Sequence, residues 1–136
     1  MKIKGQASVE YMIIVGFVTF AVIVILGMAY LYADIIKDRL RGSQIESFGG
    51  QLVNSAESIF FSGEPSKTAV RLYLPENIND IQINSEGVVI TFSLSSGTNI
   101  REFPSRVPLQ GDLLNYPGVR IISIEAKNNY VLLSDN

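Results

Sequence analysis

The sequence predicts an α+β protein: a long N-terminal helix, transmembrane at first and amphipathic afterwards, then a small antiparallel β-sandwich or curled β-sheet head. Three observations predict it. Tyr11 to Ala33 is a run of 23 residues without a charged side chain, bounded by Glu10 and Asp34. Beyond it, apolar residues recur every three or four positions as far as Phe60. From residue 69 onward the pattern changes to short alternating runs separated by Gly, Asn and Ser.

The apolar run comes first. At 1.5 Å per residue it spans about 34 Å, enough to cross a hydrocarbon core of about 30 Å with some tilt. Backbone groups cannot be hydrated there, so the segment is helical despite its many β-branched residues, among them Ile13, Ile14, Val15, Val22 and Ile23. Tyr30 and Tyr32 fall near one end, where amphipathic rings favour the interface. A secretory signal peptide has an apolar stretch of only about 7–15 residues and a small-residue cleavage site after it. Here the chain continues Ala33-Asp34-Ile35-Ile36-Lys37, with no such site.

Next comes the amphipathic part. Ile36, Leu40, Ile45, Phe48, Leu52, Ala56 and Ile59-Phe60 approximate one helix face, with Lys, Asp, Arg, Gln, Glu and Ser elsewhere. The stripe is expected to cover the head's sheet or to face neighbouring helices. Gly42 and Gly49-Gly50 each cost about 1 kcal/mol relative to alanine and are candidate bends. With no proline before Pro65, the helix should stop near Phe61-Ser62-Gly63. An unbroken helix from Gln6 to Phe61 is about 84 Å long. The expected organisation is therefore residues 1–5 as leader, 6–33 as apolar helix, 34–62 as its amphipathic continuation, 63–68 as linker and 69–136 as head.

Strand character in the head falls at 69–74, 81–83, 88–94, 100–103, 107–109, 119–125 and 130–133. Asn84-Ser85-Glu86-Gly87, Ser95-Ser96-Gly97-Thr98 and Lys127-Asn128-Asn129 supply turns that tolerate positive φ. Spacings of about 8–12 residues suit antiparallel hairpins.

Composition excludes several chemistries. Eleven basic and thirteen acidic residues give a net charge of −2, unlike the basic surface that nucleic-acid binding requires. There is no cysteine and no histidine, so disulfides, Cys/His zinc sites and Ser–His–Asp triads are ruled out. The head's acids are scattered, and neither catalysis nor a cofactor is expected. Gly63-Glu64-Pro65-Ser66-Lys67 echoes a phosphate loop only faintly, because the glycine before Lys is missing. Gly111 to Gly118 is the best contact loop: Asp112, Asn115 and Tyr116 suit a neighbouring subunit or a carbohydrate, the alternative being an ordinary loop folded over the core. No Asn-x-Ser/Thr sequon occurs.

The segment before the apolar run is the most specific. Met1-Lys2-Ile3-Lys4-Gly5 is a short basic leader, and Gln6-Ala7-Ser8-Val9-Glu10-Tyr11 follows it. This resembles the class III signal peptide of archaeal type IV pilins, in which a basic leader ending in Gly precedes Gln-x-Ser-x-Glu-Tyr. The resemblance covers about ten residues and the helix behind them; the head carries none. It implies cleavage between Gly5 and Gln6 by a prepilin peptidase, with the helix retained. It also implies polymerisation with copies of itself or other pilins, aided by an assembly ATPase and a platform protein. Before assembly the subunit would sit in membrane lipid with its head outside, and afterwards in an extracellular filament for adhesion or surface contact. Archaellins, the motility relatives, usually show a Gly-Ile-Gly-type start, which is absent here.

Physical sense accompanies the motif. Gly5 has no side chain, so its backbone can extend into a protease cleft. Lys2 and Lys4 hold the leader at the cytoplasmic face, although Lys37, Arg39 and Arg41 weaken the charge asymmetry. A carboxylate at Glu10, at the start of an apolar helix, is costly unless paired or hydrated. One account is snorkelling to the headgroups near the positive end of the helix dipole. The resemblance implies instead that Glu10 pairs with the new amino group of a neighbouring Gln6, a charge lost if that glutamine cyclises. Two rivals remain open: a monomeric single-span protein whose head binds a ligand or envelope partner, and a membrane-tethered hydrolase, for which clustered acids would be needed.

Overall fold

A computed structural model describes the backbone from Ile3 to Asn136 and side chains from Gly5 onward. Helix α1 spans Ile3–Ser62. Seven strands follow: β1 (Lys67–Leu74), β2 (Ile78–Asn84), β3 (Gly87–Leu94), β4 (Gly97–Pro104), β5 (Leu109–Asp112), β6 (Gly118–Ala126) and β7 (Val131–Asp135). The fold is α+β, with one long N-terminal helix and a head of two sheets. Chain contacts divide it into two units, Met1–Lys37 and Asp38–Asn136.

From Ile3 onward the first unit is helix alone. It contains a stretch long and apolar enough to cross a membrane, and none of that stretch is buried within the molecule. Large apolar residues are exposed all round it: Phe17 71%, Val18 53%, Val22 48%, Ile23 62% and Phe20 65%. The helix continues through Gly42 and Gly49-Gly50, so none of the candidate bends interrupts it. It stops at Ser62, where Gly63 takes φ +82° and donates its N–H to the carbonyl of Phe60 at 3.1 Å. A left-handed glycine of this kind satisfies a terminal carbonyl without crowding a Cβ.

In the second unit, one sheet has the order β1-β6-β7-β5 and the other β2-β3-β4. Every pairing is antiparallel except β5 with β7, so the first sheet is mixed where only antiparallel hairpins were expected. β5 joins the far side of β7 and runs parallel to it, with β6 lying between them in the chain. Gly111 makes this approach possible, because a Cβ there would overlap the backbone of Leu133, and its φ is +138°. Some boundaries differ from the sequence expectation. Val107 is buried in the connection before β5 rather than in a strand, while Gly111 and Asp112 belong to β5.

Alternation on the strands places Leu72, Leu74, Ile122, Ile124, Val131 and Leu133 inward from the first sheet. Ile81, Val88, Ile90, Phe92 and Phe103 face them from the second. The helix supplies a third wall through Ile45, Phe48, Leu52, Val53 and Ala56, and all join one core. A Cβ at Gly49 would overlap the ring of Phe103 on β4, so helix and strand meet at van der Waals distance there. On its other flank α1 borders β1, with Gln44, Ser47 and Gln51 beside Arg71 and Tyr73. The helix thus covers the open side between two edge strands, which otherwise invite pairing with another chain.

Ile36 and Leu40 do not share in this core. They are 61% and 58% exposed, against 0% for Ile45. At 100° per residue they lie on the opposite side of the helix from Ile45, so the stripe read from the sequence is two stripes, offset round the axis.

Candidate functional site

At the N-terminal end, the described side chains begin at Gly5, so Lys2 and the side chain of Lys4 lie outside the described residues. Gly5 and Gln6 are helical and exposed. The bond between them lies inside the first turns of α1 rather than in an extended segment, so a protease would have to unwind the helix there. Glycine lowers that cost, being about 1 kcal/mol poorer than alanine in a helix. Glu10 is exposed, one turn beyond Gln6 and on the same face, about 6 Å along the axis. Helical side chains lean toward the N-terminus, which aims this carboxylate at the Gln6 end. The geometry puts the Glu10 carboxylate within reach of the backbone at Gln6 of its own helix.

In the head, the candidate loop Gly111 to Gly118, of which only 113–117 lies outside β5 and β6, is held from several directions. Leu113 is buried at 4% exposure and plugs the core. The Leu114 N–H donates to Asp135 Oδ2 at 3.0 Å. Arg120, on β6, donates to the Leu114 carbonyl and pairs with the same carboxylate, both side chains being more than four-fifths buried. Asn115 Nδ2 donates to the Asn79 carbonyl at 3.0 Å, which ties the loop to β2. Asp112 is exposed at the end of β5, opposite Ser134.

The loop is thus tied at Leu114 and Asn115. Leu114 at 51% and Tyr116 at 65% exposure stand outward beside these ties. The polar members of the expected trio therefore play different parts: the Asn115 amide is committed to the fold, and Tyr116 is presented. On the outer face of the first sheet, Tyr73 lies opposite Val119, and Ile121 opposite Arg71. Tyr73, Val119 and Ile121 are 46%, 62% and 43% exposed. Five of the eight exposed large apolar side chains from Asp38 onward lie in β1, β6 or the loop that feeds β6, so the head's exposed apolar surface is concentrated there.

Sequence reasoning did not single out this outer face. A signal for it exists in the doublet Ile121-Ile122, since adjacent apolar residues on a strand must point to opposite faces. The Arg120–Asp135 tie had no local signal, because its members are brought together only by the β6–β7 pairing.

Among the described residues, no group of three acidic side chains converges as a metal site would need. One carboxylate has a perturbed titration: the bond to Lys127 Nζ, at 2.6 Å, holds Glu125 below the usual carboxylate range and raises the Lys127 ammonium. This pair flanks the β6–β7 turn and lies away from the loop. No family model, no curated protein and no solved structure matches the chain.

Proposed function

We propose that this chain is the precursor of a filament subunit of the archaeal type IV pilin kind. It is inserted by its apolar helix, cut between Gly5 and Gln6, and polymerised through that helix to serve adhesion or surface contact. One observation carries the proposal: in α1, an all-round apolar segment and a wall of the head's core belong to the same unbroken element. A segment apolar on every side needs cover on every side. Lipid supplies that before assembly, and a bundle of like helices supplies it afterwards. The class III-like leader gives the switch between the two states a chemical step.

Glu10 has a defined task in this account. Inside a helix bundle its carboxylate is stable only when compensated, and the amino group created at Gln6 is the compensation. Glu10→Ala should leave insertion and cleavage largely intact while impairing assembly, and normal filaments from that variant would remove the register role. The first test is processing. Co-expression with a prepilin peptidase should shorten the chain by the five residues preceding Gln6, and Gly5→Phe should block the cut. A mature protein that keeps Met1 defeats the proposal at its first step.

The clamped loop favours a second reading, a single-span protein whose head binds an envelope partner through Leu114 and Tyr116. Such a protein has no use for cleavage after Gly5, so the same experiment separates the two.

A further inference from the structure

The first side chains to tie α1 to the strands of the head are polar. Between Asp38 and Gln44 no helix residue is buried, and the first that is fully enclosed is Ile45. Asp38 makes the early contact. Its carboxylate accepts the Ser95 backbone N–H at 3.1 Å and the Ser95 hydroxyl, both from the turn between β3 and β4. Arg41, one turn on, pairs with the other carboxylate oxygen at 3.3 Å. The Asp38 and Arg41 side chains are only 20% and 19% exposed, whereas Asp34 and Lys37 just before them are 61% and 71% exposed. Beside this tie a shallow, open groove runs along the helix from Asp38 to Glu46, bordered by Gly42 and Ser43 on the helix and by Leu94 and Arg101 on the strands. Over these two turns the helix therefore meets the head through polar and half-buried groups, Asp38, Arg41, Gly42 and Gln44, and through no fully buried apolar side chain.

We propose that Asp38 and the Ser95-Ser96 turn form a releasable clasp. Closed, the head grips α1 from Asp38; open, it grips from Ile45 and frees residues 38–44. Opening breaks the Asp38–Ser95 bonds and uncovers Arg41, Gly42 and Gln44, but disturbs no buried apolar side chain, so it is a local event separate from unfolding of the core. It changes how much helix is free of the head, whatever that helix packs against, and so does not depend on the filament proposal.

Hydrogen exchange on the full chain in detergent micelles, resolved residue by residue, tests the clasp. Asp38→Ala should speed exchange at the Ser95 amide by about tenfold or more and raise it across 39–45, while amides of Ile90 and Ile122 stay as slow as before. Unchanged exchange at Ser95 and 39–45 overturns the clasp. So does acceleration spread through the core, which would make Asp38 part of the global fold. Because the chain has no cysteine, a D38C/S95C variant can lock the same contact. Once oxidised it should exchange more slowly than the wild type over 39–45. Failure of the bond to form, or exchange no slower than wild type, shows that the stretch is not clasped or does not open.

Discussion

Ile13 and Ile45 are the same side chain on the same helix, yet Ile13 is 65% exposed and Ile45 is fully enclosed. The contrast holds for the two stretches around them. As far as Lys37, α1 carries apolar residues on every side. From Asp38 onward, Ser43, Glu46, Ser47, Gln51, Asn54 and Ser58 alternate with the core residues and face outward. An amphipathic stretch can be completed by one layer of its own chain, and here the sheets complete it. A segment apolar all round cannot, because one small head offers one surface. Burial in the second stretch is thus an intramolecular matter, whereas this chain supplies none for the first.

The sharpest way to break this comparison is to truncate one phenylalanine in each stretch. Phe48→Ala, in the core at 2% exposure, should destabilise the head by about 3–5 kcal/mol, read by thermal or denaturant melting. Phe17→Ala should leave the head's melting unchanged, and an equal loss from both would show that the first stretch is packed within the chain after all.

Two neighbouring glycines give the next effect. Gly49→Ala drives a methyl into the ring of Phe103, held in the core, and should cost about 1–3 kcal/mol. A Cβ at Gly50 meets nothing, so Gly50→Ala should stabilise the head by about 0.5–1 kcal/mol through helix propensity. Opposite signs at adjacent positions would locate the face that touches β4, and equal signs would argue against that contact.

Arg120→Met removes the guanidinium from Asp135 and from the Leu114 carbonyl. It should cost about 1–2 kcal/mol and raise proteolytic cutting at 114–116. Cutting at the wild-type rate would mean that the loop is rigid for other reasons.

The smallest effect concerns Glu125 and Lys127. A carboxyl whose pKa is lowered by folding stabilises above its unfolded pKa, and the contribution is lost as pH falls through the folded value. A lysine whose pKa is raised stabilises below its unfolded pKa and loses the contribution as pH rises through the folded value. Glu125→Gln should therefore lower the melting temperature slightly near neutral pH, with the difference vanishing in acid below the carboxylate range and in alkali above the lysine range. A pH-independent difference would assign the loss to packing.

Much of the architecture was legible because period and composition report burial directly. The uncharged run, the three-to-four spacing around Ile45, Phe48, Leu52 and Ala56, and the glycine after Ser62 are local signals with local causes. Ile36 and Leu40 were harder to place, since spacings of four and five drift round the helix and only the position of the sheets says which face is covered. The parallel β5–β7 pairing was hidden for a similar reason: alternation says which face a residue takes, not which strand lies beside it or in which direction. In the candidate sites, Gly5, Gln6 and Glu10 came from contiguous residues. The loop's anchors came from four places in the chain, namely Asn79, Leu114, Arg120 and Asp135.

By itself, the sequence determined that α1 carries a long uncharged apolar segment and that a small β-rich head follows it. Hydropathy and periodicity are properties of consecutive residues, and they suffice for that. Only the tertiary structure decided where the helix stops being free and becomes part of the head. It also decided that Tyr116 is presented while Asn115 is spent on the fold, and that Tyr73, Val119 and Ile121 share one exposed surface. Those facts depend on pairs of residues far apart in the chain, whose meeting is set by sheet register and helix packing and leaves no mark in any short stretch of sequence.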